Sequence, residues 1–129
     1  MKVSVYSFSY KKGIPVDVSG NGGGFVFDCR AIENPGKLDE YKPLTGKDSR
    51  VIAFLEQQPE TSIFFDQVKT LVSMSVERYL SRDFNNLMVC FGCTGGRHRS
   101  VYFAERLAKY LKDKYNITVE LTHNEKESW

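Results

Sequence analysis

Apolar and polar residues alternate in "VSVYSF" (3–8) and again in "FVFDCR" (25–30), the two-residue period of strands with one buried face. The run "NLMVCFG" (86–92) is short and continuously apolar, as a strand buried on both faces would be, and "ITVELT" (117–122) alternates once more. Elsewhere the period becomes helical. Asp48 can cap a short helix carrying Val51, Phe54 and Leu55. Pro59 opens a longer one in which Phe65, Val68, Val72, Val76 and Tyr79 share a stripe, a core stripe rather than a cofactor box. Val101, Ala104, Leu107, Ala108 and Leu111 define a third helix, with Lys109, Lys112 and Lys114 crowding its negative end. The residues between the first two strands leave little room for a full helix, and the glycine-dense "SGNGGG" (19–24) reads as a flexible turn. Strand, Gly-rich turn, helix, strand is a βαβ unit. The predicted class is therefore α/β: a single-domain sandwich over 1–129 with a mainly parallel sheet of about four strands and flanking helices.

Composition narrows the functional classes. With 129 residues, 41% hydrophobic and 26% charged, the chain suits one ordinary folded domain. No stretch approaches the roughly 18 consecutive apolar residues of a membrane span, and "MKVSVYSFSYKKG" lacks a signal-peptide core. A cytoplasmic protein without a membrane partner is the default expectation. Eighteen basic against 16 acidic residues give +2, too balanced for bulk attraction to nucleic acid, so any such role rests on a local patch. Cys29, Cys90 and Cys93 cannot all pair and read as thiols. Cys90 and Cys93 are spaced C-x-x-C, but within an apolar run rather than at a helix start. Zinc and redox chemistry are minor readings, and no metal or cofactor is expected.

The chemistry concentrates in "CFGCTGGRHRS" (90–100), where the third predicted strand gives way to the third helix. Parallel sheets place ligands at the carboxyl ends of their strands. Gly95 and Gly96 let backbone amides point inward, and the helix start adds unpaired N–H groups and a positive dipole end, together an anion nest. Arg97 and Arg99, two apart in an extended turn, would point the same way and both fork onto phosphate or carboxylate oxygens. Thr94, His98 and Ser100 supply further donors. No local carboxylate answers the arginines before Glu105, which implies an anion brought from outside.

A second reading makes the same loop catalytic. Residues 93–100 satisfy C-x-x-G-x-x-R-[ST], the signature that resembles the phosphate loop of cysteine-dependent phosphatases, with Cys93 as nucleophile and Arg99 as the phosphate clamp. Those enzymes usually carry His before the Cys, where this chain has Gly92, and need an Asp general acid that does not single itself out among Asp28, Asp39 and Asp48. The balance leans to a non-enzymatic binding domain.

Finally, "FVFDCRAIENPG", "YKPLTGKD" and above all "GCTGGRHRSVYFAERLA" resemble the carboxyl-terminal domain of the RapZ/YvcJ family of RNase adapters, over nearly the whole chain. The resemblance implies a fold compared to a phosphofructokinase subdomain and binding of an amino-sugar phosphate, glucosamine-6-phosphate, by the loop. It also implies binding of structured RNA. On that resemblance Cys93, Thr94, Gly95, Gly96, Arg97, His98 and Arg99 would hold the phosphate, and Asp28 and Arg30 would face the same crevice. Thr45, Gly46 and Asp48 would form a lid or a helix-capping turn, and His123 would close the pocket or end a strand. Lys11 and Lys12 are candidate RNA contacts. A protein partner and a homo-oligomer stay open. Three departures qualify the resemblance. The G-x-x-x-x-G-K-[ST] loop of the family's ATP-binding domain is missing, so ATP hydrolysis does not transfer. "SGNGGG" stands where the family usually has a short helix. "THNEKESW" replaces a basic tail, which weakens the RNA inference.

Overall fold

The computed structural model describes residues 1–129. Its elements, in chain order, are β1 (Lys2–Ser9), β2 (Phe25–Asp28), α1 (Ser49–Glu56), α2 (Pro59–Ser81), β3 (Asn86–Cys93), α3 (Arg99–Lys114) and β4 (Thr118–His123), with single 3₁₀ turns at Pro35–Lys37 and Lys126–Ser128. The four strands form one sheet in the order β2-β3-β1-β4, and every pairing is parallel. The α/β class and the parallel sheet expected from the pattern are those observed. No helix is long and apolar enough to cross a membrane.

Strand order explains how the faces are covered. A parallel crossover is right-handed almost without exception, so connections that step across the sheet in opposite directions run over opposite faces. From β1 the chain steps one way to β2; from β2 to β3 and from β3 to β4 it steps back. The two returning connections carry the helices, and all three helices share one core with one face of the sheet. Val3 and Val5 of β1 and Leu87, Val89 and Phe91 of β3 meet Val51 and Leu55 of α1, Phe65, Val68, Val72 and Val76 of α2, and Phe103, Leu107 and Leu111 of α3. The α2 stripe thus packs as its spacing predicts.

The opposite face carries a much smaller cluster, Phe8, Met88 and Cys90, flanked by Tyr6 and Tyr10. It is crossed by the irregular segment 10–24: the Asn21 side-chain amide donates to the Asn86 carbonyl (3.0 Å), and Ile14, Val16 and Gly22–Gly24 line a cleft with Met88 and Val26. Every residue of β3 is consequently buried. Cys90 and Cys93, three positions apart on this strand, face opposite sides, which gives the C-x-x-C spacing a strand's geometry rather than that of a shared metal or redox site. Burial raises the Cys29 thiol well above its ordinary range and Cys90 to about 12, so neither is a reactive thiolate.

Phe103 lies at the junction of the helical layer and β3. It is fully buried against Phe64, Phe91 and Tyr102, with ring centroids 4.8, 6.3 and 5.0 Å away. Replacing it with alanine should cost about 3–5 kcal/mol, the usual penalty for emptying an aromatic core site. Urea unfolding read by far-UV dichroism measures the loss; a change under 1 kcal/mol would mean that this layer is not the core.

Candidate functional site

The carboxyl ends of β1 and β3 lie side by side, with Ser9 opposite Cys93. Their outgoing chains part, β1 into the segment over the bare face and β3 into α3 over the helical face. This is a topological switch point, where an open parallel sheet leaves a crevice between two diverging loops. The Gly-rich turn 94–98 forms one wall, and the turn after Ser9 forms the other. Ser9 fastens the two: its hydroxyl donates to the Thr94 carbonyl (2.6 Å) and accepts from the Lys11 amide (3.1 Å), while its carbonyl receives the Lys12 and Gly13 amides.

In the turn itself, the main-chain amides of residues 94–98 donate to no acceptor in the chain. The first turn of α3 adds amides with no partner in the helix, and its N-cap residue, His98, contributes no side-chain cap. Gly96 has φ +68°, and a Cβ there would run into Glu125 and the Ser9 amide, so only glycine fits. A continuous row of unpaired donors therefore leads from the strand end into the positive end of α3.

The flanking side chains hold this turn from two sides. Arg97 donates through Nε to the Leu44 carbonyl (2.8 Å) and through Nη2 to the Pro43 carbonyl, while the Arg97 carbonyl accepts from the Gly46 amide (2.9 Å). His98 Nε2 bonds the Tyr41 carbonyl (2.9 Å), and Gly46 lies so close to the His98 carbonyl and the Tyr102 amide that a side chain there would collide with backbone. On the other side Arg99, only 4% exposed, donates from Nη1 to the carbonyls of Arg30 (3.0 Å) and Ile32 (2.9 Å). Its Nε is buried without a partner. The two arginines thus diverge instead of forking together. Only Arg99 belongs to α3; His98 between them has φ −112° and ψ −77°, so the backbone is not extended there and the alternation that would align residues two apart is broken. The expectation of parallel side chains, drawn for an extended turn, is corrected on that point, and carbonyl groups supply the partners that no carboxylate does.

The other predicted residues distribute as follows. Arg99 and Thr94 line a cleft of about 290 Å³ together with Arg30, Glu33, Asn34 and Lys37. Asp28 and Arg30, at the end of β2, form a two-pronged ion pair (Nε–Oδ1 2.9 Å, Nη2–Oδ2 2.7 Å), and the Arg30 guanidinium lies 3.9 Å over the Tyr10 ring. The Arg30 hydrogen bond holds the Asp28 carboxyl below its usual range. Lys11 and Lys12 are exposed at the same end of the sheet and take part in no ion pair. Cys93 is 2% exposed, and its Sγ donates to the buried Ser100 hydroxyl (3.1 Å). Asp48 stands at the N-cap position of α1, but its carboxylate accepts from the Thr45 amide and hydroxyl rather than from the helix, so 45–48 is a self-closed turn that buttresses Arg97 and not a lid. His123 ends β4, held between the Ser7 hydroxyl and Glu105, each at 2.6 Å. Sequence reasoning did not find Ser9, the carbonyls of 41–44, or the tail residues Glu125 and Trp129 that also border the turn. None of these carries a local pattern.

These features define a small, all-parallel α/β domain whose switch point opens on a Gly-rich turn and a helix start. The chain belongs to the RapZ C-terminal domain family, which matches residues 1–127. It is similar to nucleotide-binding proteins of Halorhodospira halophila (43% identical over 125 residues, 97% of this chain and 42% of the relative), Fervidobacterium nodosum (40% over 119 residues, 92% and 40%) and Acidobacterium capsulatum (39% over 121 residues, 93% and 38%). The chain spans about two fifths of the length of these relatives.

Burial, reinforced by the nearby charges of Arg97 and Arg99, lowers the His98 pKa, against the pull of its carbonyl bond. The unfolded chain therefore takes up this proton first as pH falls below about 6.5. Stability contributed by the neutral ring is complete above that pH and is lost as pH drops toward the lower folded value. His98→Gln should flatten the stability profile between about pH 7 and 5 relative to the parent chain. Denaturant midpoints across that range check it; parallel profiles would refute it.

Proposed function

We propose that the domain binds a phosphorylated small molecule without transforming it, the phosphate seated on the amides of 94–98 and the start of α3. The observation that carries this reading is the unbroken row of unpaired amides at the switch point. Arg99 supports it: its guanidinium charge is buried beside the row, its partners are neutral carbonyls, and its Nε has none. Carbonyls satisfy donors without cancelling charge, so the pocket favours an anion. The cleft beside Thr94 offers Arg30, Lys37, Asn34 and Glu33 to the remainder of the ligand, a mixed lining suited to a polar body such as an amino-sugar phosphate. That the relatives are called nucleotide-binding proteins is in keeping with a phosphorylated ligand, though the name belongs to chains more than twice as long. Buried and bonded to Ser100, Cys93 serves in this reading as floor rather than nucleophile.

Calorimetric titration with inorganic phosphate, glucosamine-6-phosphate and a nucleoside monophosphate tests the proposal. Phosphate and at least one ester should compete for one site, and Arg99→Met should weaken both about tenfold or more, the scale of a lost charge-assisted hydrogen bond. Cys93→Ser should leave binding intact. No heat from any of the three would end the reading. Turnover of an aryl phosphate, abolished by Cys93→Ser, would replace it with the phosphatase.

RNA is a second reading, favoured by one observation: Lys11, Lys12 and Lys37 crown the same end of the sheet without ion-pair partners. Retardation of a structured RNA should then weaken with salt and be lost in a Lys11→Ala, Lys12→Ala double variant. Retardation unaffected by that variant would remove these lysines from the reading.

A further inference from the structure

Beyond β4 the chain turns back over the crevice. The Asn124 amide donates to the Ser7 carbonyl (2.9 Å), which carries the backbone past the end of the sheet toward the Gly-rich turn. Glu125 follows, half-buried, with its side chain against Gly96 and its Oε2 accepting from the Ser9 amide at 3.4 Å. A single 3₁₀ turn then delivers Trp129, whose indole N–H donates to the Gly96 carbonyl at 3.4 Å and whose ring lies 5.4 Å from the His123 imidazole. His123 is the anchor beneath, fixed to β1 through Ser7 and to α3 through Glu105.

Gly96 is thus held from both sides by one short segment. The segment's two hydrogen bonds here, Glu125 to the Ser9 amide and Trp129 to the Gly96 carbonyl, are long, near the limit for a hydrogen bond, whereas those anchoring His123 are short. A carboxylate has been brought to the anion crevice, yet it takes only the Ser9 amide and leaves the donors of 94–98 unpaired. A phosphate seated on those donors would lie in the same crevice as Glu125, and two like charges so close repel unless one moves. The weak contacts lie on the part that would have to move.

We propose that residues 124–129 form a strap across the switch-point crevice, with the Glu125 carboxylate opposing entry of a second anion and Trp129 latching the strap to Gly96. The inference rests on the anion-binding reading above and adds regulation to it: the affinity of the site is set by how readily the strap lifts. Ligands with a positive or hydroxyl-rich group beside the phosphate keep Glu125 as an acceptor and lose less than bare phosphate does.

The chain contains one tryptophan, so Trp129 fluorescence reports the latch directly. Inorganic phosphate is titrated into the full chain and into Glu125→Gln and Trp129→Phe, with calorimetry for affinity and Trp129 emission for the strap. Glu125→Gln, which keeps size and removes charge, should bind phosphate about three- to tenfold more tightly, the scale of one partly screened charge repulsion. Trp129→Phe should shift affinity the same way, and phosphate should change the emission of the parent chain. Parent and Glu125→Gln binding phosphate equally, or Glu125→Gln binding it more weakly, would overturn the strap and leave the anion site standing. Binding by neither would overturn both.

Discussion

The end of the sheet depends on two buried or half-buried guanidinium groups that donate to main-chain carbonyls. Arg97 draws in 43–44 and Arg99 draws in 30–32, so two loops remote in sequence are tied to the same turn. Such bonds are directional and satisfy donors, but a carbonyl oxygen carries only a partial charge. Both positive charges therefore persist at the start of α3, where the helix dipole adds to them instead of opposing them. The surrounding loops are rigidified by the groups that make the site electropositive. Architecture and electrostatics are set here by the same residues.

Much of this was legible because periodicity reports burial. Val3 and Val5, the unbroken apolar run of β3, and the stripe from Phe65 to Val76 each occupy the side their spacing assigns. The turn at 94–98 was legible for a different reason: glycines between an apolar strand and a helical stripe mark a strand-to-helix junction, and parallel sheets bind there. What could not be read was the direction of long side chains. Arg97 and Arg99 depend on whether the helix begins at 97 or 99, a boundary that sequence locates poorly, and one residue of error rotates a side chain by about 100°. The carbonyls they meet belong to irregular loops without any pattern, and Glu125 and Trp129 reach the site only because β4 ends beside β1. Long-range placement of this kind has no local trace.

Topology also separates the two faces. Because the β1-to-β2 connection must cross opposite the helices, the small cluster around Phe8, Met88 and Cys90 is sheltered by segment 10–24 alone. Ile14, Val16 and Val18 stay exposed in that crossover. Segments with few buried apolar contacts open most easily, so this face has less to hold it than the helical one. Ser9 and the turn that follows it stand between the two regimes, one side fastened to Thr94 and the other leading into the crossover.

The hydrogen-bonded line Ser7–His123–Glu105 has the order of a nucleophile, base and orienting carboxylate, and its 2.6 Å spacings would suit that role. Ser7, however, is fully buried and lies on β1 between Phe91 and His123 in the sheet register, with no path for a substrate to its hydroxyl. The same geometry has a mechanical meaning. It joins β1, β4 and α3 directly beneath the strap, so the segment after His123 leaves from a fixed point, and whatever freedom it has is confined to the residues over Gly96. A rigid anchor with a weakly held end is the arrangement in which one carboxylate can modulate a site without altering the fold that builds it.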